Sequence, residues 1–315
     1  MTLNVTAFKE QRLQSGTIIL DTTGRIEHRR ARRVVEEQAL QIGILAPGEP
    51  QFLHVGEGAK ARRIAFLRRA ASASDGAGLV WLGGFRSIMR GEKASYLDRA
   101  AGEAGRAYVR FDYSGHGESE GCFEDSTIGL WLEEALAVVR ALTEGPQILI
   151  GSSMGGWLAL LAARALFAAG ESARLRGLVL IAPAVDFTEK LIWDRMPAKA
   201  RAALKAKGVW PRPSRYRPEP DPISRGLIEE GRRHLLLDAT IRSHCPVHIL
   251  QGMQDEDVPW RHALTLIEHM HGDPATLTLI KDGDHRLSRP EDLARIWAAV
   301  EGMDHHHLDN AASVV

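Results

Sequence analysis

The sequence predicts an α/β protein: a mostly parallel central sheet with helices on both faces and an inserted helical lid. Three features predict it. Short apolar runs, as at 78–82, 147–150 and 178–181, read as strands buried on both faces. They alternate with helical periods such as 128–142, the order that layers helices on a parallel sheet. One segment, 186–240, breaks the rhythm between two strands and reads as an insertion covering one sheet edge, a lid.

Residues 1–48 read as an appendage, closed by Pro47, Gly48 and Pro50. Residues 1–16 carry Lys9, Glu10 and Arg12 and no apolar stretch, so they do not form a secretory signal. The arginines at 29–33 lie among Asp21, Glu27, Glu36 and Glu37, which spoils an organelle transit pattern. They read as a solvated face, and the expected location is cytoplasmic. The α/β domain then runs over 49–302. Gly56, Glu57 and Gly58 separate strands 52–55 and 62–67 as a hairpin. Strand 78–82 is closed by Gly83 and Gly84, and helix 93–104 follows. Strand 107–111 leads into the polar loop Tyr113-Ser-Gly-His-Gly-Glu-Ser119, read as a tight turn held by Asp112 and Ser119. Helix 128–142, strand 147–150, helix 157–166 and strand 178–181 complete the first half. After the lid come strand 247–250, helix 261–270, strand 276–280 and helix 290–300. The tail from Met303 is expected to fray. Its His305-His306-His307 run can bind metal adventitiously but has no scaffold to hold a site, and is not taken as a metal site.

Composition excludes more than it assigns. The 40 Lys and Arg balance 40 Asp and Glu, so no basic surplus points to nucleic acid. No apolar run approaches the roughly 18 residues that span a bilayer. Cys122 and Cys245 are too few for a disulfide framework or a cysteine zinc site. Cys245, before Pro246, reads as a small buried apolar residue. Trp81, Trp157 and Trp260 read as core.

The chemistry concentrates at Gly151-Ser152-Ser153-Met154-Gly155, which fits Gly-x-Ser-x-Gly between a strand and a helix. That turn holds the serine in a strained conformation, and the flanking glycines remove side chains that would clash. Ser153 is therefore the candidate nucleophile at the C-terminal edge of the sheet. A serine needs a base, and the base an orienting acid. His285, in the loop after strand 276–280, is the candidate base. Asp255, in the loop after strand 247–250, is the candidate acid. Asp257 is the rival acid or a cap for the following helix, and Asp282 and Asp284 read as loop ties. An oxyanion hole needs two donors: the Met154 N–H, and the Phe85 N–H from Gly83-Gly84-Phe85-Arg86-Ser87, unless Phe85 is simply a core aromatic. Arg86 reads equally as a contact for a substrate anion or for a surface acid. His116 is a candidate substrate contact. Trp193 and Trp210, with Leu191 and Ile192, are candidates for an apolar acyl pocket in the lid.

These stretches resemble the α/β-hydrolase superfamily and, within it, the mitochondrial palmitoyl-protein thioesterase and acyl-glucuronide esterase group. The likeness rests on 110–119, Gly145-Pro-Gln-Ile-Leu-Ile-Gly-Ser-Ser-Met-Gly-Gly-Trp157, Lys207-Gly-Val-Trp210, His244-Cys-Pro246, Gly252-Met-Gln-Asp255, Val258-Pro-Trp260 and Gly283-Asp-His-Arg286. It implies the same roles for Ser153, Asp255 and His285, and hydrolysis of acyl thioesters or activated acyl esters on small molecules or acylated proteins, with no metal or cofactor. It does not cover 1–48. The alternatives are a serine aminopeptidase of the same fold and a non-catalytic scaffold or sensor.

Overall fold

The computed structural model describes residues 48–72 and 76–312, so all of the 1–48 appendage but Gly48, the arginines at 29–33 included, lies outside the described residues. The first strands, β1 (Gln51–Val55) and β2 (Arg62–Arg69), form the expected antiparallel hairpin. Then come β3 (Gly78–Leu82), α1 (Glu92–Glu103), β4 (Tyr108–Phe111), α2 (Ile128–Leu142), β5 (Gln147–Ser152), α3 (Met154–Ala168) and β6 (Leu175–Ile181). The inserted segment follows, and the chain returns through β9 (Val247–Gly252), α6 (Trp260–His269), β10 (Ala275–Ile280) and α7 (Pro290–Ala312). The eight strands lie in the order β1-β2-β4-β3-β5-β6-β9-β10, with β2 antiparallel to both neighbours and every other pair from β4 onward parallel.

The burial of both faces is visible in β3. Leu79 and Trp81 point into one apolar layer with Leu97 of α1 and Ile296 of α7. Val80 and Leu82 point into the other with Trp131 of α2 and Leu158 of α3. Side chains alternate along a strand, so a strand apolar at every position must be covered twice. The Thr127 hydroxyl starts α2 by accepting the Leu130 N–H at 3.2 Å.

The inserted segment is not purely helical. It opens with a π-helical stretch (Phe187–Trp193), and α4 (Ala198–Lys207) and α5 (Arg225–Gly231) flank an antiparallel hairpin of β7 (Val209–Arg212) and β8 (Asp221–Ser224). Pro211 faces Pro222 across it. Prolines argue against a central strand, but both strands of a two-stranded ribbon are edges and tolerate them. The buried Asp186 carboxylate ties the two ends of the lid by accepting the Leu236 and Leu237 N–H groups at 2.8–3.0 Å. The frayed tail is corrected as well. Helix α7 continues through Ala312, Met303 is buried in the core, and Asp304 bonds the buried Arg106 at 2.8 Å. Side chains at 305–307 lie outside the described residues.

Candidate active site

Ser153 sits between the end of β5 and the start of α3 with φ 53° and ψ −116°, off both helix and strand regions. The elbow closes tightly. A Cβ on Gly155 would stand 2.0 Å from the Leu82 carbonyl oxygen, and one on Gly151 would stand 2.3 Å from that of Gly155. Only glycine fits at these two places. The Ser153 N–H bonds the Ile181 carbonyl at 2.9 Å, and its carbonyl accepts the Gly156 and Ala184 N–H groups. The backbone is thus fixed on both sides and Oγ is left for chemistry. Met154 is the first residue of α3, where an N–H has no carbonyl of its own helix to bond.

His285 Nε2 lies 3.1 Å from Ser153 Oγ, and His285 Nδ1 lies 2.7 Å from Asp255 Oδ2. The Asp255 side chain is wholly buried. Its Oδ1 accepts the Asp257 and Val258 N–H groups at 2.9 and 2.8 Å, and Oδ2 also accepts Gln251 Nε2 at 3.0 Å. A carboxylate held by this many donors is fixed in direction. An imidazole held by such an acid, with its other nitrogen on a serine hydroxyl, is arranged to take that proton. Asp284 ties the histidine loop by accepting the Arg286 and Leu287 N–H groups, and Asp282 pairs with Arg289.

Asp257 neither binds His285 nor caps α6. Its carboxylate accepts the Tyr216 hydroxyl and stands 3.9 and 3.8 Å from the Arg212 and Arg215 guanidinium groups. Asp255, Asp257 and His285 have atoms within 4.8 Å of one another, close enough to surround a cation. Those atoms are already engaged with each other, with Gln251 and with the lid, so a cation would have to displace these bonds.

A cavity of about 130 Å³ opens beside Ser153, Met154 and His285. Phe85, Ala184, Phe187, Leu191, Ile192 and Val258 give it an apolar wall, and 212–217 with Asp221 and Asp257 give it a polar one. Phe85 reaches this wall while packing edge-on against Phe123 and Phe187, with ring centres 4.9 and 5.6 Å away, so it is both cavity lining and core aromatic.

Four expected substrate contacts are not brought to this cavity. The Arg86 guanidinium lies 4.7 Å over the Phe123 ring, outside the cavity lining and without an ion pair among the described residues. His116 is buried, between the Arg86 N–H and the Ser114 carbonyl. Trp193 lies between the Arg201 and Arg232 guanidinium groups, at 4.8 and 4.9 Å, because its electron-rich face attracts cations. Trp210 opens on a neighbouring cavity of about 220 Å³ with Met196 and Arg195. Trp260 is only half-buried, with Arg261 over its ring. The polar wall at 212–217 escaped sequence reading, since an Arg- and Pro-rich loop has no periodicity; the alternation of arginines with Tyr216 was its one signal. Cys245 is buried as expected, and burial pushes its thiol up to about 12.

The sequence profile of the alpha/beta hydrolase family matches residues 74–311. The chain belongs to that family. This hydrolase is 34% identical over 239 residues to the mitochondrial palmitoyl-protein thioesterase ABHD10 of Bos taurus, covering 76% of this chain and 75% of the relative. It is 33% identical to the protein of the same name from Homo sapiens over the same length. Among solved structures, one from Agrobacterium vitis S4 is 47% identical with a TM-score of 0.79, covering 82% of this chain and 100% of its own. The mouse ABHD10 structure is 32% identical with a TM-score of 0.71, covering 81% and 98%. The expected cytoplasmic location is corrected by these comparisons. The curated relatives from cattle, orangutan, human, mouse and rat are all named as mitochondrial, and the match does not reach the segment on which that expectation rested. Among the described residues no helix is long and apolar enough to cross a membrane.

Proposed function

We propose that this hydrolase cleaves acyl thioesters or activated acyl esters through an acyl-enzyme on Ser153. The observation that carries the reading is the unbroken chain from Ser153 Oγ to His285 to the buried Asp255, at 3.1 and 2.7 Å, beside an apolar cavity. His285 takes the hydroxyl proton as Ser153 attacks the acyl carbonyl, and Asp255 stabilises the imidazolium. The Met154 and Phe85 N–H groups hold the oxyanion. The tetrahedral intermediate collapses, the leaving group departs with a proton from His285, and water activated by the same histidine frees the acid. Asp255, rather than Asp257, is the acid in this scheme.

The acyl group lies along Phe85, Phe187, Leu191 and Ile192. A cavity of about 130 Å³ is of the order of one that accepts benzene, roughly 150 Å³. It suits a compact acyl group, and a palmitoyl chain would have to run out through the open mouth. A serine aminopeptidase would need a free carboxylate for the substrate's amine. Asp257 is the nearest candidate, and it is already held by Tyr216, Arg212 and Arg215. The test compares turnover of a palmitoyl thioester, short p-nitrophenyl esters and aminoacyl anilides. The reading predicts ester and thioester turnover; a clear preference for the anilide overturns it.

A further inference from the structure

His116 is a buried histidine with a defined tautomer and no part in the scheme above. The Arg86 N–H donates to its Nε2 at 3.0 Å, so Nε2 must carry a lone pair. The proton is then on Nδ1, which donates to the Ser114 carbonyl at 3.1 Å. The ring is packed among Phe123, Trp131 and Tyr113, with centres 5.0, 5.4 and 5.9 Å away. Ser114 is itself anchored. Its carbonyl accepts Trp131 Nε1, and its N–H and hydroxyl both donate to Glu134, which Arg62 holds at 2.6 Å.

The other end of this chain is the turn Gly84-Phe85-Arg86-Ser87, closed by the Ser87 N–H on the Gly84 carbonyl at 3.0 Å. Arg86 has φ 61° and Phe85 does not have a positive φ. That is the pattern of a type II turn, which normally wants glycine where Arg86 stands. A type I turn would suit arginine better and differs mainly by a flip of the central Phe85–Arg86 peptide. The flip would turn the Arg86 N–H away from His116 and bring the Phe85 carbonyl oxygen toward its lone pair. The turn also lies against the elbow: a Cβ on Gly84 would be 3.3 Å from that of Ser153.

We propose that His116 is a positioning residue whose unprotonated Nε2 anchors the Phe85–Arg86 peptide and so fixes the turn whose preceding Gly84–Phe85 peptide carries the Phe85 donor of the oxyanion hole, an inference that rests on the Ser153 acyl-enzyme reading. The imidazole acts only as an acceptor here. Burial holds it neutral, pushing its pKa down to about 4, and the neighbouring Arg86 and Arg217 cations act in the same direction. The left-handed Arg86 is the strain that this bond and the cation–π contact to Phe123 maintain.

The test uses the whole protein. First, a fluorophosphonate probe must label wild type at Ser153; if it does not, the acyl-enzyme reading fails before His116 is at issue. Given labelling, His116→Leu removes the acceptor, and His116→Gln can return one through its amide oxygen. His116→Leu is expected to lower kcat about 10–100-fold with KM within about threefold. It is also expected to weaken a boronic acid that forms a tetrahedral oxyanion by a similar factor, and His116→Gln should restore most of both. Unchanged kcat and boronate affinity in a folded His116→Leu enzyme would overturn the proposal, as would equal losses in kcat and 1/KM. Should that variant not fold, ¹⁵N shifts of wild-type His116 decide: protonated Nδ1 with bare Nε2 supports the proposal, and protonated Nε2 refutes it.

Discussion

Asp255→Asn is the sharpest perturbation of the proposed chemistry, because the surroundings dictate how the amide must sit. Oδ1 of Asp255 faces two fixed backbone donors, the Asp257 and Val258 N–H groups. The asparagine carbonyl must stay there, which places its NH₂ at the Oδ2 position, facing His285 and Gln251. His285 can accept that NH₂ only by moving its proton from Nδ1 to Nε2. Nε2–H then points at Ser153 Oγ and can no longer take its proton. A wrong tautomer of this kind lowers kcat by about 10⁴ in the serine protease precedent, or about 5.5 kcal/mol at about 1.4 kcal/mol per tenfold. Gln251 cannot relieve its own donor–donor clash by flipping, since its Nε2 also bonds the Gly252 and Val258 carbonyls. A stability loss of about 1–3 kcal/mol is therefore expected as well. Initial rates with a p-nitrophenyl ester and urea denaturation measure the two effects. Asp257→Asn is the control and should keep kcat within about tenfold. An Asp255→Asn enzyme within tenfold of wild type, or an Asp257→Asn enzyme that falls as far, would refute the assignment of the acid.

Three further outcomes are expected. Gly155→Ala pushes a methyl to 2.0 Å from the Leu82 carbonyl, so urea midpoints should report a loss of at least about 2–3 kcal/mol; a neutral effect would contradict the tight elbow. Buried His116 binds its proton at about pH 4 when folded and near its ordinary value of 6.5 when unfolded, so the unfolded chain holds more protons between these values. This contribution is fully present above pH 6.5 and is lost as pH falls to about 4, roughly 3 kcal/mol in all; His116→Gln should lack that part of the acid loss in denaturant titrations at stepped pH. Ile192→Trp fills the apolar wall of the cavity, and should cut benzoyl ester turnover about tenfold or more while sparing acetyl esters. Parallel losses on both substrates would place the acyl group elsewhere.

Much of the sheet and the central residues of the site were legible because they depend on short-range signals. The short apolar runs at β3 and β5, bounded by glycines and alternating with helical periods, read as strands covered on both faces. A Gly-x-Ser-x-Gly directly between strand and helix puts Ser153 at the sheet edge, and Asp255 and His285 follow from being in loops after strands that end at the same edge. What stayed hidden depends on packing between distant segments. Trp193 and Trp210 are lid aromatics of the right type, but arginines from α4 and the segment after α5 claim one, and the other faces a second cavity. The polar wall at 212–217 follows from how the β7–β8 hairpin folds over Asp257, which no local pattern encodes. His116 reads from sequence as a histidine in an open loop; only its burial against Trp131 turns it into an internal prop. The balance of charge holds at the cavity too, where Arg212, Arg215 and Arg217 face Asp221, Asp257 and the adjoining Glu256.

The central claim is the acyl-enzyme on Ser153, and intact mass of the protein quenched during turnover of a slowly deacylated ester tests it most directly. The account predicts a mass increase equal to the acyl group, mapped to the peptide carrying Ser153 and lost in Ser153→Ala. Turnover without any adduct on Ser153, or an adduct and activity that survive Ser153→Ala, would contradict it.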